Sequence, residues 1–353
     1  MPRVILIDPC KDERWDRFVE NHPFGWVCHL SGWKKVLENS FPHMKGYYLA
    51  LIDENGEIQA GLPIYEVRSW LTGNRLVSIP FATLSDPLIK NENELKILLN
   101  YTKGLALKLN ITNIEIKSFQ TSHFFKNTSL NKICLFKNHH LFLNKSLNEL
   151  LKLFHPSCIR RVILKSVKLP LEKKKVKKFE ELEEFYNLYV ITRKRVGLPP
   201  QPYKFFISLL KYLGFNNHVN FFLARLNGKT LGGIMLFSFK NRVSWDAIGI
   251  EDYSKKIGIT HYLLWKSIEE AYNDKKEIFD FGRTNINNNG LMIFKNRWGT
   301  IVSDLPSFYF TNNIYSMMIT NEKFRKKLVQ QICRISPTPI LKSIGNLCYK
   351  HLG

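Results

Sequence analysis

The stretch FDFGRTNINNNGLMIFKNRWGT, Phe279 to Thr300, collects residue types that can handle negative charge. An apolar strand ends in Arg283, an asparagine-rich turn follows from Asn285 to Gly290, and Lys295, Arg297 and Trp298 then come in quick succession. Such a segment is either a binding edge or a solvated turn. A guanidinium closing a buried strand needs a carboxylate or a phosphate. Arg283 is therefore expected either to pair with Asp280 or Asp304 or to contact a ligand phosphate. Trp298 either stacks on a base or sugar or seals the loop.

Other candidates are scattered. Asp86, beside Pro87 at a strand end, either orients an amine and accepts its proton or simply forms a turn. Arg193 and Arg195, in TRKRVGLPP, end a helix, where cations suit the dipole without any further role. Arg160 and Arg161 fall in a strongly basic stretch. No nucleophile elbow or compact triad signature is present, so positioning of substrates is expected to dominate any chemistry. The six cysteines show neither a Cys-x-x-Cys pair nor a histidine at metal spacing, which points to reduced thiols and no metal. His139 and His140 lack recognisable partners and read as structural.

The chain has 353 residues and a formal net charge of +22, with 44% hydrophobic and 13% aromatic residues. That composition excludes a disordered protein, and the charge predicts a polyanionic partner: nucleic acid, anionic lipid or a phosphorylated substrate. Nine Lys or Arg against the single acid Glu172 lie between Cys158 and Lys178, and seven against none between Lys323 and Gly353. The N-terminus lacks a signal-peptide pattern and no window approaches about 18 uninterrupted apolar residues, so a cytoplasmic location is expected, with peripheral contact at the membrane's inner face.

These residues must be carried by ordered elements, and the chain repeats itself. YLALIDENGEIQAGLPI, Tyr48 to Ile64, parallels FLARLNGKTLGGIML, Phe222 to Leu236: a strand ending in Leu-Ala, a turn at Asn-Gly, then a strand carrying glycine. Asn55-Gly56 and Asn227-Gly228 are expected to form hairpin turns with both residues at positive φ. SGWKKVLENSF reads as a helix capped by Ser31, and Glu92 to Leu109 as an amphipathic helix. Strand, hairpin, helix and strand occurring twice predict an α/β fold with a mixed, twisted sheet flanked by helices in each half. The expected divisions are 1–150, a basic helical connector over 151–178, 179–315, and a basic amphipathic tail over 316–353 broken by Pro337 and Pro339.

The combination resembles the Fem-type aminoacyltransferases of the GNAT acyltransferase superfamily, over about residues 25 to 310. The signposts are SGWKKVLENSF, GLPIYEVRSWLTGNRLVSIPF, TRKRVGLPPQPYKFF, LLWKSIEEAY and, above all, FDFGRTNINNNGLMIFKNRWG. The tail PTPILKSIGNLCYKHLG is similar to that of Fem-like proteins from exopolysaccharide and exosortase-linked loci. The resemblance implies two tandem GNAT-like domains and transfer of an aminoacyl group from aminoacyl-tRNA to an amine of a cell-envelope precursor, peptidoglycan or polysaccharide, with neither covalent enzyme intermediate nor cofactor. Lys295, in the pair Phe294-Lys295, is then the stabiliser of developing negative charge. Lys35, Arg193 and Arg195 face the acceptor, Arg283 and Trp298 contact substrate if they bind ligand, and Arg160, Arg161 and Arg297 face the donor.

In ordinary GNAT proteins a glycine-rich loop binds the pyrophosphate of acyl-CoA with backbone N–H groups. The matching segment here is KKIGIT, Lys255 to Thr260, where Gly258 fits but Lys255 and Thr260 depart from the pattern. That departure favours tRNA as donor. Two further readings remain: an acyl-CoA-dependent N-acyltransferase acting on an amino sugar or lipid-linked saccharide, and a non-catalytic basic module for nucleic acid or anionic membrane.

Overall fold

The computed structural model describes residues 2–311 and 322–352. Its first elements are β1 (Arg3–Ile7), α1 (Glu13–Asn21), α2 (Ser31–Ser40), β2 (Met44–Ile52), β3 (Ile58–Val67), β4 (Arg75–Ser78), α3 (Glu92–Lys108), β5 (Ile114–Lys117), β6 (Asn131–Phe142), α4 (Leu147–Leu153), α5 (Arg161–Ser166) and β7 (Leu171–Lys175). There follow α6 (Phe179–Val196), α7 (Tyr203–Leu213), β8 (Val219–Leu226), β9 (Lys229–Phe239), β10 (Arg242–Ile250), α8 (Ile259–Asn273), β11 (Ile278–Asn285), α9 (Asn289–Asn296), β12 (Ile301–Phe310), α10 (Glu322–Ile335) and α11 (Thr338–Tyr349). The chain packs as two units, one of Met1–Leu135, Asp304–Lys323 and Leu347–Gly353, the other of Phe136–Ser303 and Phe324–Asn346.

In the first unit β1, β2, β3 and β4 pair antiparallel in sequence order, and β4 pairs parallel with β5 after the α3 crossover. The sixth position is filled by β12, whose Ser307–Phe310 run antiparallel to β5. The apolar row of α3, Leu95, Leu98, Leu99, Leu105 and Ala106, packs in one core with Leu49, Leu62, Ile64, Leu76, Ile114 and Phe308. Asn91 caps this helix by accepting from the Glu94 amide at 3.0 Å.

The second unit repeats the plan. Strands β7 to β10 are antiparallel, β10 pairs parallel with β11 after the α8 crossover, and the sixth position is taken by β6, antiparallel to β11. The sheet's core partners are Leu263, Leu264, Trp265 and Ile268 of α8 with Phe279 and Phe281 of β11.

The twofold α/β plan agrees with the repeat, but the sixth strands do not follow it. The strand after β5 serves the second unit, and the one after β11 serves the first from Asp304 onward. Both units are therefore discontinuous in sequence. Residue 150 lies inside the second unit, as do residues 151–178, which contribute α5 and β7. The division expected at 315 lies outside the described residues. Periodicity reports which face a strand buries, not which partner it takes.

Three local expectations need correction. Asn227 and Gly228 both have positive φ, 49° and 77°, as a two-residue hairpin requires, but in the first hairpin only Gly56 does, at 83°. There the Asp53 carboxylate accepts from the amides of Asn55 and Glu57, both at 2.9 Å, and a longer loop results. Ser31 does not cap α2: Leu30 occupies the cap position, and the Ser31 amide and hydroxyl donate to Asp16 instead. In the tail, Pro339 sits in the first turn of α11, where a missing N–H costs nothing, so the break falls at Ser336-Pro337. Cys333 and Leu341 are buried and Gly345 abuts the Pro200 carbonyl, so this part of the tail packs on the second unit.

At Gly249 of β10 the backbone of α6 comes so close that a methyl group would overlap the Tyr189 amide nitrogen and the Leu188 carbonyl carbon. Gly228, at the hairpin tip, has open space around it. Gly249→Ala is expected to cost about 1–3 kcal/mol in urea unfolding by forcing helix and sheet apart, and Gly228→Ala about 1 kcal/mol from its positive φ alone. Equal losses would show that the α6 contact yields freely.

Candidate active site

The site follows from how briefly β10 and β11 pair. Their parallel ladder runs only from Arg242–Ser244 to Ile278–Asp280, although the strands continue to Ile250 and Asn285. Both strands are irregular there: β10 shifts register against β9 between Trp245 and Ala247, and β11 against β6 between Asp280 and Gly282. Bulges of this kind re-aim side chains and release backbone groups from the ladder.

Two side chains, those of Asp280 and Lys295, take up what is released. Asp280, fully buried, accepts from Arg242 Nη1 at 2.6 Å, Asn138 Nδ2 at 3.1 Å and the Gly282 amide at 2.7 Å. Its charge is compensated by the Arg242 guanidinium, which a buried carboxylate requires. Gly282 adopts φ 70°, and a Cβ there would lie 3.0 Å from the Trp245 carbonyl, so the bulge needs glycine. Lys295, only 3% exposed, extends from α9 and donates through Nζ to the carbonyls of Gly282, at 2.9 Å, and Arg283, at 3.0 Å.

The ammonium sits 5.5 Å from the centroid of the Trp245 ring. Burial holds its pKa down to about 7, against the opposing pull of Asp280 and Asp246 and with a further reduction from Arg283. Of the three N–H bonds of an ammonium, two serve the carbonyls and one remains for a ligand.

Asp246, the residue at the β10 irregularity, is open to solvent by area yet crowded by protein. That crowding pushes its carboxyl up to about 6, while Arg283 and Lys295 pull it down. The arrangement is a carboxylate and an amine within electrostatic reach, each brought near neutrality, which is characteristic of sites that move protons.

The remaining expected residues fall in several places. Phe294 is a packing residue, edge-on to His261 and Trp298, and holds the turn of α9 that presents Lys295. Trp298 is fully buried among Phe154, Phe281 and His261. It seals the segment and offers no face to a base, which corrects its assignment to ligand binding. The asparagine-rich turn is shorter than Asn285 to Gly290, because α9 starts at Asn289 with the Asn288 side chain accepting from the Leu291 amide at 3.2 Å.

Arg283 is exposed, over the Phe136 ring at 4.7 Å, and the salt bridge weighed with Asp280 is made by Arg242 instead. Arg297 is exposed and its carbonyl accepts from the His155 amide at 2.8 Å. Arg193 donates to the Pro199 carbonyl at 2.9 and 3.1 Å, and Arg195 pairs with Asp252 at 2.8 Å.

Gly258 starts α8 at φ 81°, and a Cβ there would meet Val162 of α5 at 2.7 Å. His261, one turn on, is bonded to the Cys158 backbone. The segment bearing Arg160, half-buried, and Arg161, exposed, therefore packs against the helix end where a GNAT protein would seat a pyrophosphate.

In the first unit Lys35 is exposed on α2. Asp86 is buried, and its Oδ1 accepts from the Phe119 and Thr121 amides at 2.7 and 2.9 Å and from the Thr121 hydroxyl at 3.1 Å, which ties it to the loop after β5. Burial raises its pKa against these bonds. Asp246 escaped sequence reasoning because SWDAIGI reads as an alternating strand with one polar residue outward. The available signal was a carboxylate in an otherwise apolar strand.

Residues 159–295 match the family profile described as an acetyltransferase (GNAT) domain, a span that ends on Lys295. No curated protein sequence matches the chain. Among solved structures, FemX superposes with a TM-score of 0.73 at 16% identity, covering 93% of this chain and 100% of its own. The C-terminal domain of a putative lysylphosphatidylglycerol synthetase from Agrobacterium fabrum gives 0.58 at 11%, covering 88% and 95%. A tandem GNAT protein from the clavulanic acid biosynthesis pathway gives 0.56 at 10%, covering 88% and 98%. The chain thus has the tandem GNAT fold, with acyltransferase chemistry assigned by the matched domain.

Lys295→Met keeps the length of the side chain but leaves two backbone carbonyls without their donor, and should cost about 1–3 kcal/mol in unfolding. Unchanged stability would show that these carbonyls are satisfied without the amine.

Proposed function

We propose that this acyltransferase of tandem GNAT fold moves an aminoacyl group from aminoacyl-tRNA to an amine of a cell-envelope precursor. The observation that carries the reading is Lys295 Nζ, fixed by two carbonyls in the opening between β10 and β11 with one N–H to spare. An aminoacyl ester is already activated, so the enzyme has to align the amine with the ester carbonyl and stabilise the oxyanion. The remaining N–H of the Lys295 ammonium serves the oxyanion. Asp246 takes the proton that the attacking amine sheds as the new C–N bond forms. Collapse of the intermediate breaks the ester C–O bond, and the proton held by Asp246 passes to the departing ribose oxygen of the tRNA, which restores the carboxylate.

Two observations favour tRNA over acyl-CoA as donor: the packing of α5 against Gly258 at the start of α8, and the net charge of +22. Exposed Arg161, Arg283 and Arg297 are the phosphate contacts in this reading, and Arg193 and Arg195 serve the acceptor. A CoA-dependent N-acyltransferase is the second reading, favoured by the matched acetyltransferase domain itself. A basic binding module is disfavoured, because charge attraction alone has no use for a buried lysine whose pKa is lowered.

Purified protein given labelled aminoacyl-tRNA or labelled acyl-CoA, each with a mixture of envelope precursors, should move label from the tRNA only. Transfer from acyl-CoA alone overturns the donor. Lys295→Ala should lower transfer by roughly 100-fold or more, the scale of losing one oxyanion donor.

The rate should rise with pH as Asp246 ionises around 6 and fall as Lys295 loses its proton around 7. Asp246→Asn should abolish the acid limb and, by removing a negative charge near Lys295, shift the alkaline limb to lower pH. A profile unchanged in Asp246→Asn would remove Asp246 from the reaction.

A further inference from the structure

A second surface stands out in the first unit. The loop between β3 and β4 holds Trp70 at 86% and Leu71 at 64% exposure, among the most exposed large apolar residues in the structure. A loose loop would show this by accident, but here the backbone is tightly satisfied. The Ser69 amide donates to Asn74 Oδ1 at 3.1 Å, and the Leu71 and Thr72 amides donate to Ser69 Oγ at 3.2 and 2.9 Å. Arg75 braces the turn through Thr72 Oγ1 at 2.7 Å. The two apolar side chains are held out in water by an ordered frame.

The end of the chain is fastened to the same loop. His351 meets Ser69 Oγ at 3.0 Å through Nδ1, and its carbonyl accepts from Thr72 Oγ1 at 3.0 Å and from Arg75 Nη2 at 3.2 Å. Its ring lies edge-on to Trp70. Tyr349 is anchored beside Phe41 and Phe81. The neighbouring Leu347 and Leu352 are exposed, so the tethered segment adds aliphatic surface. Around the patch the cations Lys45, Arg68, Arg75 and Lys350 outnumber the carboxylates Glu66 and Glu115, and Glu66 is buried and paired with Arg68 at 2.6 Å.

We infer that the β3–β4 loop and the chain end fastened to it form a docking surface for a lipid bilayer carrying anionic headgroups, with Trp70 and Leu71 entering the interface. Tryptophan beside aliphatic residues suits the boundary between headgroup and acyl chain. A surrounding excess of cations suits a negatively charged leaflet. A protein partner would also cover apolar area, but the charge excess and the projecting tip match a fluid, anionic surface. Among the described residues no helix is long and apolar enough to cross a membrane, so this contact is peripheral. The inference does not depend on the donor or on Lys295.

The test is co-sedimentation of the full chain with vesicles of phosphatidylcholine alone or mixed with phosphatidylglycerol. Wild type should partition onto the mixed vesicles, less at high salt. Trp70→Ser/Leu71→Ser should bind at least tenfold more weakly with an unchanged melting temperature, because neither side chain packs in a core. Lys350→Gln should weaken binding to the mixed vesicles roughly fivefold while leaving the residual binding to phosphatidylcholine unchanged. Wild type remaining in the supernatant, or a double variant that binds as well as wild type, overturns the inference. Self-association without vesicles that the double variant abolishes would overturn it in favour of a second copy of the chain.

Discussion

Everything at the candidate site depends on the carbonyl oxygens of Gly282 and Arg283, which lie past the point where β11 stops pairing with β10. Backbone acceptors in a protein interior must be satisfied. Here the donor is the side chain of Lys295, brought by a helix that follows the strand directly. The requirement is coupled to its surroundings. Asp280 takes the Gly282 amide on the same bulge, Arg242 neutralises Asp280, and Trp298 and Phe294 fix the helix that delivers the amine. A lysine recruited to repair a ladder is thereby fixed in a partly dry place, where burial lowers its pKa and the low dielectric strengthens its hydrogen bonds.

The first unit shows the same topology put to another use. Its parallel pair β4–β5 is also short, Leu76–Val77 with Ile114–Glu115. There the Ser78 hydroxyl accepts from the Lys117 amide at 2.8 Å and Lys117 Nζ donates to the Ile79 carbonyl at 3.2 Å. Asp86 then gathers the amides of the following loop. Duplication supplied two frames, and the acid and amine that adjust each other's ionisation, Asp246 and Lys295, belong to the second. The excess of positive charge and the loop bearing Trp70 are further features laid over that framework.

Much of the frame could be read in the residues. Asn227-Gly228 specified its hairpin, and the spacing of Leu95, Leu98, Leu99 and Leu105 specified the buried face of α3. Lys295 was reached only through the motif around it, since a lysine between phenylalanine and asparagine looks solvated until the strand opening it fills is known. Asp246 was hidden because a bulge leaves no mark on a short alternating pattern. The exchanged sixth strands, β6 and β12, were hidden too, because both have the composition of ordinary strands and pairing is decided by tertiary packing. Of the two readings of Trp298, its burial supports sealing the segment; an indole beside cations resembles a binding platform, and the neighbour that covers it from far along the chain, Phe154, leaves no mark on the local sequence.

Burial in the strand opening holds one amine close to neutrality. Its direct measurement is an NMR titration of the lysine side chains, with the Lys295 resonance assigned by its absence in Lys295→Met. That one lysine should titrate with a midpoint near 7, set mainly by burial, and with a lower midpoint in Asp246→Asn. A midpoint at the ordinary lysine value, about 10.4, would contradict it.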